Sequence, residues 1–273
     1  MRYLKYVFDF YINASIHVAL SVYAFIKITE AYLDLNSNSN LNFFIFFGTI
    51  TGYNFVKYAG VAKLHHRSLT KGLKNIQVFS FFAFIAFCYF GYHLSLKTIV
   101  YTIPFSLLTI LYAVPFLSGF EKNLRAISYL KIIVVALVWS AFSVLIPVLD
   151  INEPISINVV LLILQRFLIV IVLILPFDIR DVRFDAISLQ TIPKKIGIQK
   201  TKKLGLLLLI LSLIIEYFIS TSILLKTPFM LFFFLTIFLL MRAKINQTKY
   251  FSSFWVESLP ILWWLILLGY HNF

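Results

Sequence analysis

Residues 178–197 read DIRDVRFDAISLQTIPKKIG, with three carboxylates in the first eight positions. If the helix that runs into them continues for a turn or two, Asp178, Asp181 and Asp185 fall at i, i+3 and i+7, within one sector of about 60°. Arg180 and Arg183 then lie on the other side. Three carboxylates on one face repel one another unless a cation joins them. Hard oxygen donors suit Mg2+, which commonly holds one or two carboxylates, several waters and a substrate phosphate. The plainer alternative is a solvated helix end on which Asp and Arg neutralise each other, and spacing alone leaves both open. Two facts favour chemistry. Half of the six aspartates in the chain are gathered here, and they abut the apolar run VVLLILQRFLIVIVLI, where charge is expensive unless it is used.

The elements that must position these residues are membrane helices. Of 273 residues, 61% are hydrophobic and 13% charged, and the mean hydropathy is +0.92, whereas a soluble domain is roughly half apolar and a quarter charged. Apolar runs long enough to span, about 20 residues each, are centred near residues 18, 50, 85, 108, 139, 166, 213, 234 and 263. The period-two alternation of a membrane barrel is missing. The expectation is therefore an all-α polytopic membrane protein, a nine-transmembrane-helix bundle forming one domain over residues 1–273. Its two rich loops lie at about 61–75 and 178–203. MRYLKYVFDFYINASIHVAL is read as the start of a first span, since no small-residue cleavage site interrupts it. Cys88, the single cysteine, lies inside an apolar run and says nothing of redox compartment.

The formal charge of +13 could suggest nucleic acid, but its distribution argues against that partner. Threading nine spans from a cytoplasmic N-terminus puts twenty of the 24 Lys and Arg residues on one side and only Lys27, Lys97 and Lys226 on the other. That is a positive-inside bias. It expects an integral membrane protein, of a bacterial inner membrane, with the N-terminus and both rich loops cytoplasmic and the C-terminus outside. Oligomeric state is not legible.

DIRDVRFD followed by TIPKKIG resembles the second aspartate-rich motif of the UbiA superfamily of intramembrane prenyltransferases, whose usual form is close to DIxDxEGDxxxGxxTLPxxxG. Asp178, Asp181, Asp185, Thr191, Pro193 and Gly197 match, with the spacer before Thr191 one residue short. LYAVPF is similar to the tyrosine-proline element that ends the fourth span of that family, with Tyr112 and Pro115 in place. The resemblance covers essentially the full length. It implies a UbiA-type bundle with Mg2+ as cofactor on Asp178, Asp181 and Asp185 and a prenyl diphosphate at the cytoplasmic mouth. The isoprenoid chain would lie in the bundle and pass to a hydrophobic, often aromatic, acceptor. Metal charge would stabilise the departing diphosphate, and aromatic faces the allylic cation.

The first motif of the family, NDxxDxxxD, is broken. In YNFVKYAGVAKLHHR, Asn54 matches, but Phe55, Tyr58 and Ala62 stand where the carboxylates belong, and no acid occurs between Asp34 and Glu121. On one helix Asn54, Lys57 and Tyr58 share a face, and with Tyr112 and Arg125 they are the expected substrate-binding residues. Lys57 either meets a diphosphate in place of one metal or pairs with Asp178 or Asp181 and closes the mouth. Both remain open. His65 and His66 point about 100° apart on a helix and make a poor metal pair. Deeper in the chain, Arg166 and Glu216 fall at similar depth in antiparallel neighbours, and a buried charge wants a partner, so an ion pair between them is expected. Three functions compete: a prenyltransferase; a catalytically inactive relative that binds an isoprenoid or supports a membrane partner; and a transporter, which charge gathered at one end of the bundle fits poorly.

Overall fold

The structure is a computed structural model that describes residues 2–36, 38–64, 71–113, 130–183, 191–219 and 222–271. No strand occurs among them. In chain order the elements are α1 (Arg2–Asn13), α2 (Ile16–Leu33), α3 (Ser39–Leu64), α4 (Lys71–Tyr92), α5 (Leu96–Ala113), α6 (Leu130–Ser140), α7 (Ile146–Asp150), α8 (Ile157–Asp181), α9 (Ile192–Ile196), α10 (Ile198–Phe218), α11 (Ile223–Arg242) and α12 (Leu259–His271). Two π-helical turns, Ala141–Leu145 and Phe251–Val256, join α6 to α7 and lead into α12. Among the described residues seven helical segments are long and apolar enough to cross a membrane. The other two long helices among the described residues, α3 and α10, are diluted by Asn40, Asn42, Asn54 and Lys57 in the first and by Lys200, Lys202 and Lys203 in the second.

The N-terminus differs from the expectation. Its charged start is a separate helix, because the chain breaks at Ser15, a non-glycine residue in the left-handed region at φ 62°. The crossing helix is α2 alone. Tyr3 and Leu4 of α1 are exposed, as suits a helix lying in an interface. Asp9 ties α1 to the chain before α12, accepting hydrogen bonds from Lys249 and from the Tyr250 hydroxyl at 2.8 Å. The Lys249 ammonium, with the Tyr250 hydroxyl, holds the Asp9 carboxyl below the usual carboxylate range.

Large apolar side chains cover both the inside and the outside of the bundle. Trp263 is stacked on Phe232 at 4.7 Å between centroids and meets Phe229 edge-on at 5.3 Å, with all three buried. On α4, Phe81 and Phe82 are each 62% exposed, and α5 likewise presents Val100, Ile103, Leu107 and Ile110 outward. A soluble domain cannot carry two such helices, but lipid can. Because lipid is as apolar as leucine, close packing and polar contacts have to hold the helices together.

Gly205 on α10 shows how tight that packing is. A β-carbon there would stand 2.8 Å from Leu175 Cδ1 on α8 and 2.7 Å from Leu240 Cδ2 on α11. Both leucine tips can swing, so Gly205→Ala should be partly absorbed. Gly205→Val should cost about 1–3 kcal/mol through overpacking, seen as a lower melting temperature in detergent micelles.

Candidate functional site

The acidic side of the mouth is built by the end of α8. Ser156 caps its start, its hydroxyl accepting from the Val159 N–H, and the helix ends at Asp181. Asp178 and Asp181 are both carried by its last turn. Asp185 lies outside the described residues, as do Arg125, Pro115, His65 and His66. Asp178 is fully buried, and its Oδ1 accepts from the Lys131 ammonium of α6 at 2.8 Å. Asp181, partly exposed, is held by its neighbour: Arg180 Nε donates to Oδ1 at 2.7 Å and a terminal nitrogen to Oδ2 at 3.2 Å. The Arg180 guanidinium also lies 5.3 Å from the Phe177 ring. Rather than backing the carboxylates from behind, Arg180 turns onto one of them. The side chains of Thr191 and Pro193 are buried, and Gly197, at φ 83°, turns the chain from α9 into α10.

The facing side comes from α3, and three of the expected residues converge there. Lys57 Nζ donates to Ser15 Oγ at 2.8 Å, and Ser15 Oγ donates to Asn54 Oδ1 at 2.7 Å. Asn54 Nδ2 donates to the Ala14 carbonyl at 3.0 Å and to Ser80 Oγ at 2.8 Å. Tyr58 donates from its hydroxyl to the Asn13 carbonyl at 3.1 Å. Asn54, Lys57 and Tyr58 thus clasp the strained turn between α1 and α2, satisfying the polar groups that the break releases. The bridge from Lys57 to Asp178 or Asp181 does not form. Asp178 has Lys131 instead.

A third wall comes from the last span. The π turn before α12 leaves irregular carbonyls, and α2 covers them. His17 donates from Nε2 to the Phe254 carbonyl at 3.0 Å while its Nδ1 accepts from the Tyr11 hydroxyl at 2.7 Å. Ser21 donates to the Glu257 carbonyl. The side chain of Glu257 lies within electrostatic reach of Lys57, Arg180, Tyr11 and Tyr53, and Tyr53 in turn is within reach of Tyr112. Tyr53 accepts from Trp139 Nε1 at 2.9 Å. Tyr112 is buried on α5.

Sequence reasoning missed Lys131, Ser15 and Glu257. Glu257 carried a usable signal: it is an acid within FSSFWVESLPILWW, and an ionisable residue in such a run is a candidate by default. Lys131 was legible only as one more cation on the basic side.

The Mg2+ implied by the motif can be tested against these donors. Asp178 accepts from Lys131, and Asp181 offers both oxygens to Arg180. Among the described residues no three His, Cys, Asp or Glu side chains are grouped as a metal would need. Each described carboxylate of the motif thus meets a cation of the chain itself, and Asp185, the third expected ligand, lies outside the described residues.

The expected ion pair deeper in the bundle does not form either. Glu216 accepts from the Tyr32 hydroxyl at 2.9 Å and from Gln165 Nε2 at 2.7 Å. Arg166, fully buried, lies over the Phe25 ring at 4.0 Å and near Trp263 at 5.2 Å, and among the described residues its three nitrogens have no hydrogen-bond partner. A recess of about 490 Å³ lies at the opposite end, lined by Asn36, Asn38, Ser95 and Asp150 among others. Its acid, Asp150, is already held by Asn38 at 2.7 Å and Thr98 at 2.5 Å, far from the motif.

No protein-family model and no curated protein matches the chain. Solved structures do. A UbiA homologue from Archaeoglobus fulgidus bound to GPP and Mg2+ superposes with a TM-score of 0.61 at 14% identity, over 97% of this chain and 100% of that one. A UbiA homologue from Archaeoglobus fulgidus bound to DMAPP and Mg2+ gives 0.61 at 12% identity, over 97% and 99%. A structure concerned with digeranylgeranylglyceryl phosphate synthase in membranes gives 0.57 at 17% identity, over 99% and 98%. The chain has the all-helical UbiA fold from end to end.

Proposed function

We propose that this chain is a membrane prenyltransferase of the UbiA superfamily, which receives a prenyl diphosphate at the end of the bundle carrying Asp178 and passes the isoprenoid chain to a hydrophobic acceptor. One observation carries the reading. Lys131 pairs with the buried Asp178, Arg180 pairs with Asp181 one turn on, and Lys57 lies within electrostatic reach of Arg180, at the mouth of a fold whose solved examples hold GPP or DMAPP. In this reaction the allylic C–O bond breaks and pyrophosphate leaves with the electron pair. The acceptor then bonds to the allylic carbon and gives up a proton. What the protein must supply is positive charge where the diphosphate leaves.

The two Archaeoglobus structures are bound to Mg2+ as well as to a prenyl diphosphate, and a metal ion there would supply such charge. Here the chain's own cations are the groups placed to do so, and no step is assigned to a metal. Asp178 positions Lys131 and Asp181 positions Arg180, whose planar fork suits phosphate oxygens. Asn54 and Tyr58 hold the turn that steers Lys57 through Ser15. Tyr112 would line the mouth, Asp185 would join the headgroup site by its place in the motif, and Arg125 would join it although it lies beyond the position at which the family's basic residues follow the tyrosine-proline element. The positive-inside distribution puts this mouth in the cytoplasm, with the C-terminus across a bacterial inner membrane.

A second reading has its own observation. A carboxylate already neutralised by Lys131 is what a binding-only relative would show. The test is pyrophosphate release from allylic diphosphates by purified protein, with Mg2+ and with EDTA. Release is expected from the wild type, falling at least about a hundredfold in Asp178→Ala and in Asp181→Ala. Release that survives both substitutions overturns the assigned roles. Binding of the diphosphate without turnover selects the second reading.

A further inference from the structure

Glu257 has a place in the mouth that no motif assigns. Its backbone is fixed from two directions. The Glu257 N–H donates to the Ser252 carbonyl at 3.3 Å, five residues back in the π turn, and its own carbonyl accepts from Ser21. Ser258, next in the chain, donates to the Phe254 carbonyl at 2.6 Å, the atom that His17 also engages. Such a π bulge re-aims the side chain that follows it, and bulges of this kind collect at functional sites. What the bulge aims is a carboxylate. Among the described residues it makes no hydrogen bond and no close ion pair, whereas Asp178 and Asp181 are each held by a cation. It lies within electrostatic reach of two cations from different spans, Lys57 of α3 and Arg180 of α8. Lys57 is itself steered by Ser15, on the same segment whose Ser21 holds Glu257. The π turn that carries Glu257 packs against α8, so its carboxylate stands within the field of Lys57, held by Ser15, and of Arg180, held by Asp181.

We propose that Glu257 is the internal counter-ion of the mouth, its negative charge opposing Lys57 and Arg180 without contact and so setting how strongly the mouth attracts an anionic headgroup. This rests on the reading of the mouth as a diphosphate site. Lys57 is held by Ser15 and Arg180 by Asp181, so both cations keep their aim without touching Glu257. Its carboxylate subtracts from the positive potential that they set up, and the incoming anion has to overcome it. Removing the negative charge while keeping the shape should therefore strengthen anion binding, with Lys57 as the group that gains.

The probe is inorganic pyrophosphate, titrated calorimetrically into the full-length protein in detergent micelles with EDTA present. Glu257→Gln is expected to bind about tenfold tighter than wild type, the equivalent of roughly 1.4 kcal/mol. Glu257→Gln with Lys57→Met should return to the wild-type affinity or below it. An unchanged melting temperature shows that Glu257→Gln is folded, and Glu257→Asp serves as a second variant that keeps the charge and should bind as wild type does. Equal binding by wild type and Glu257→Gln overturns the counter-ion role and leaves the diphosphate site standing. Weaker binding by Glu257→Gln only when Mg2+ is added makes Glu257 a metal ligand and overturns the role as well. Binding by Glu257→Gln alone supports the counter-ion and overturns turnover by the native chain. No binding by either protein overturns both proposals.

Discussion

Lys131→Met should lower the stability of the protein by about 3 kcal/mol, toward the lower end of the cost of stripping a buried ion of its partner. Asp178 is wholly inside the bundle and Lys131 is 20% exposed, so the carboxylate bears the loss while the lysine position sits at the edge. The companion Asp178→Leu, combined with Lys131→Met, removes both charges and fills the space. That double variant should regain most of the lost stability, because two buried ions are costly to desolvate and an apolar pair is not. Thermal unfolding in micelles closes the cycle. Additive losses would mean that the ion pair does not lock α6 to α8. Pyrophosphate release from the same double variant separates stability from chemistry. A stable protein without release places the Asp178 and Lys131 pair in the reaction, and a stable protein with release removes both.

The architecture was legible because the membrane leaves a chain few choices. Apolar runs of span length must become helices, since no water satisfies their backbone, and the expected run centres fall in the long helices. The break at Ser15 was not legible. Its cause is the clasp of Asn54, Lys57 and Tyr58 on Asn13, Ala14 and Ser15, a contact some forty residues away in the chain. At the site, helical phase grouped Asp178 with Asp181, and the motif supplied their context. Periodicity cannot say which cation each carboxylate takes. Arg180 seemed to point away, yet its long side chain folds back onto the next residue. Lys131 arrives from α6, and nothing local in SYLKIIVV marks it. Glu257 was hidden for a different reason. A π turn shifts the helical phase of everything after it, so counting by 3.6 misplaces that side chain.

The pair expected between Arg166 and Glu216 fails as a contact, but both charges are still buried close together, and that sets a second large effect. Arg166 has lost its water and, among the described residues, gained no hydrogen bond. Its stacking on Phe25 and Trp263 returns about 2 kcal/mol when fully desolvated, less than the several kcal/mol of burying the ion. Glu216 is better served, with Tyr32 and Gln165 as donors, yet it too lacks a cation in contact. Each charge is then stabilised partly by the field of the other across the Tyr32 and Gln165 network. Arg166→Met and Glu216→Gln should each destabilise the protein, by about 3 kcal/mol for the fully buried arginine and somewhat less for the glutamate, whose two hydrogen bonds an amide can keep in part. Together they should lose far less than the sum, with a coupling of about 1–3 kcal/mol. Melting temperatures of the four proteins measure it. Strictly additive losses would show that Arg166 is held by its aromatic neighbours alone, with Glu216 an independent hydrogen-bonded acid fixing α10 against α2 and α8.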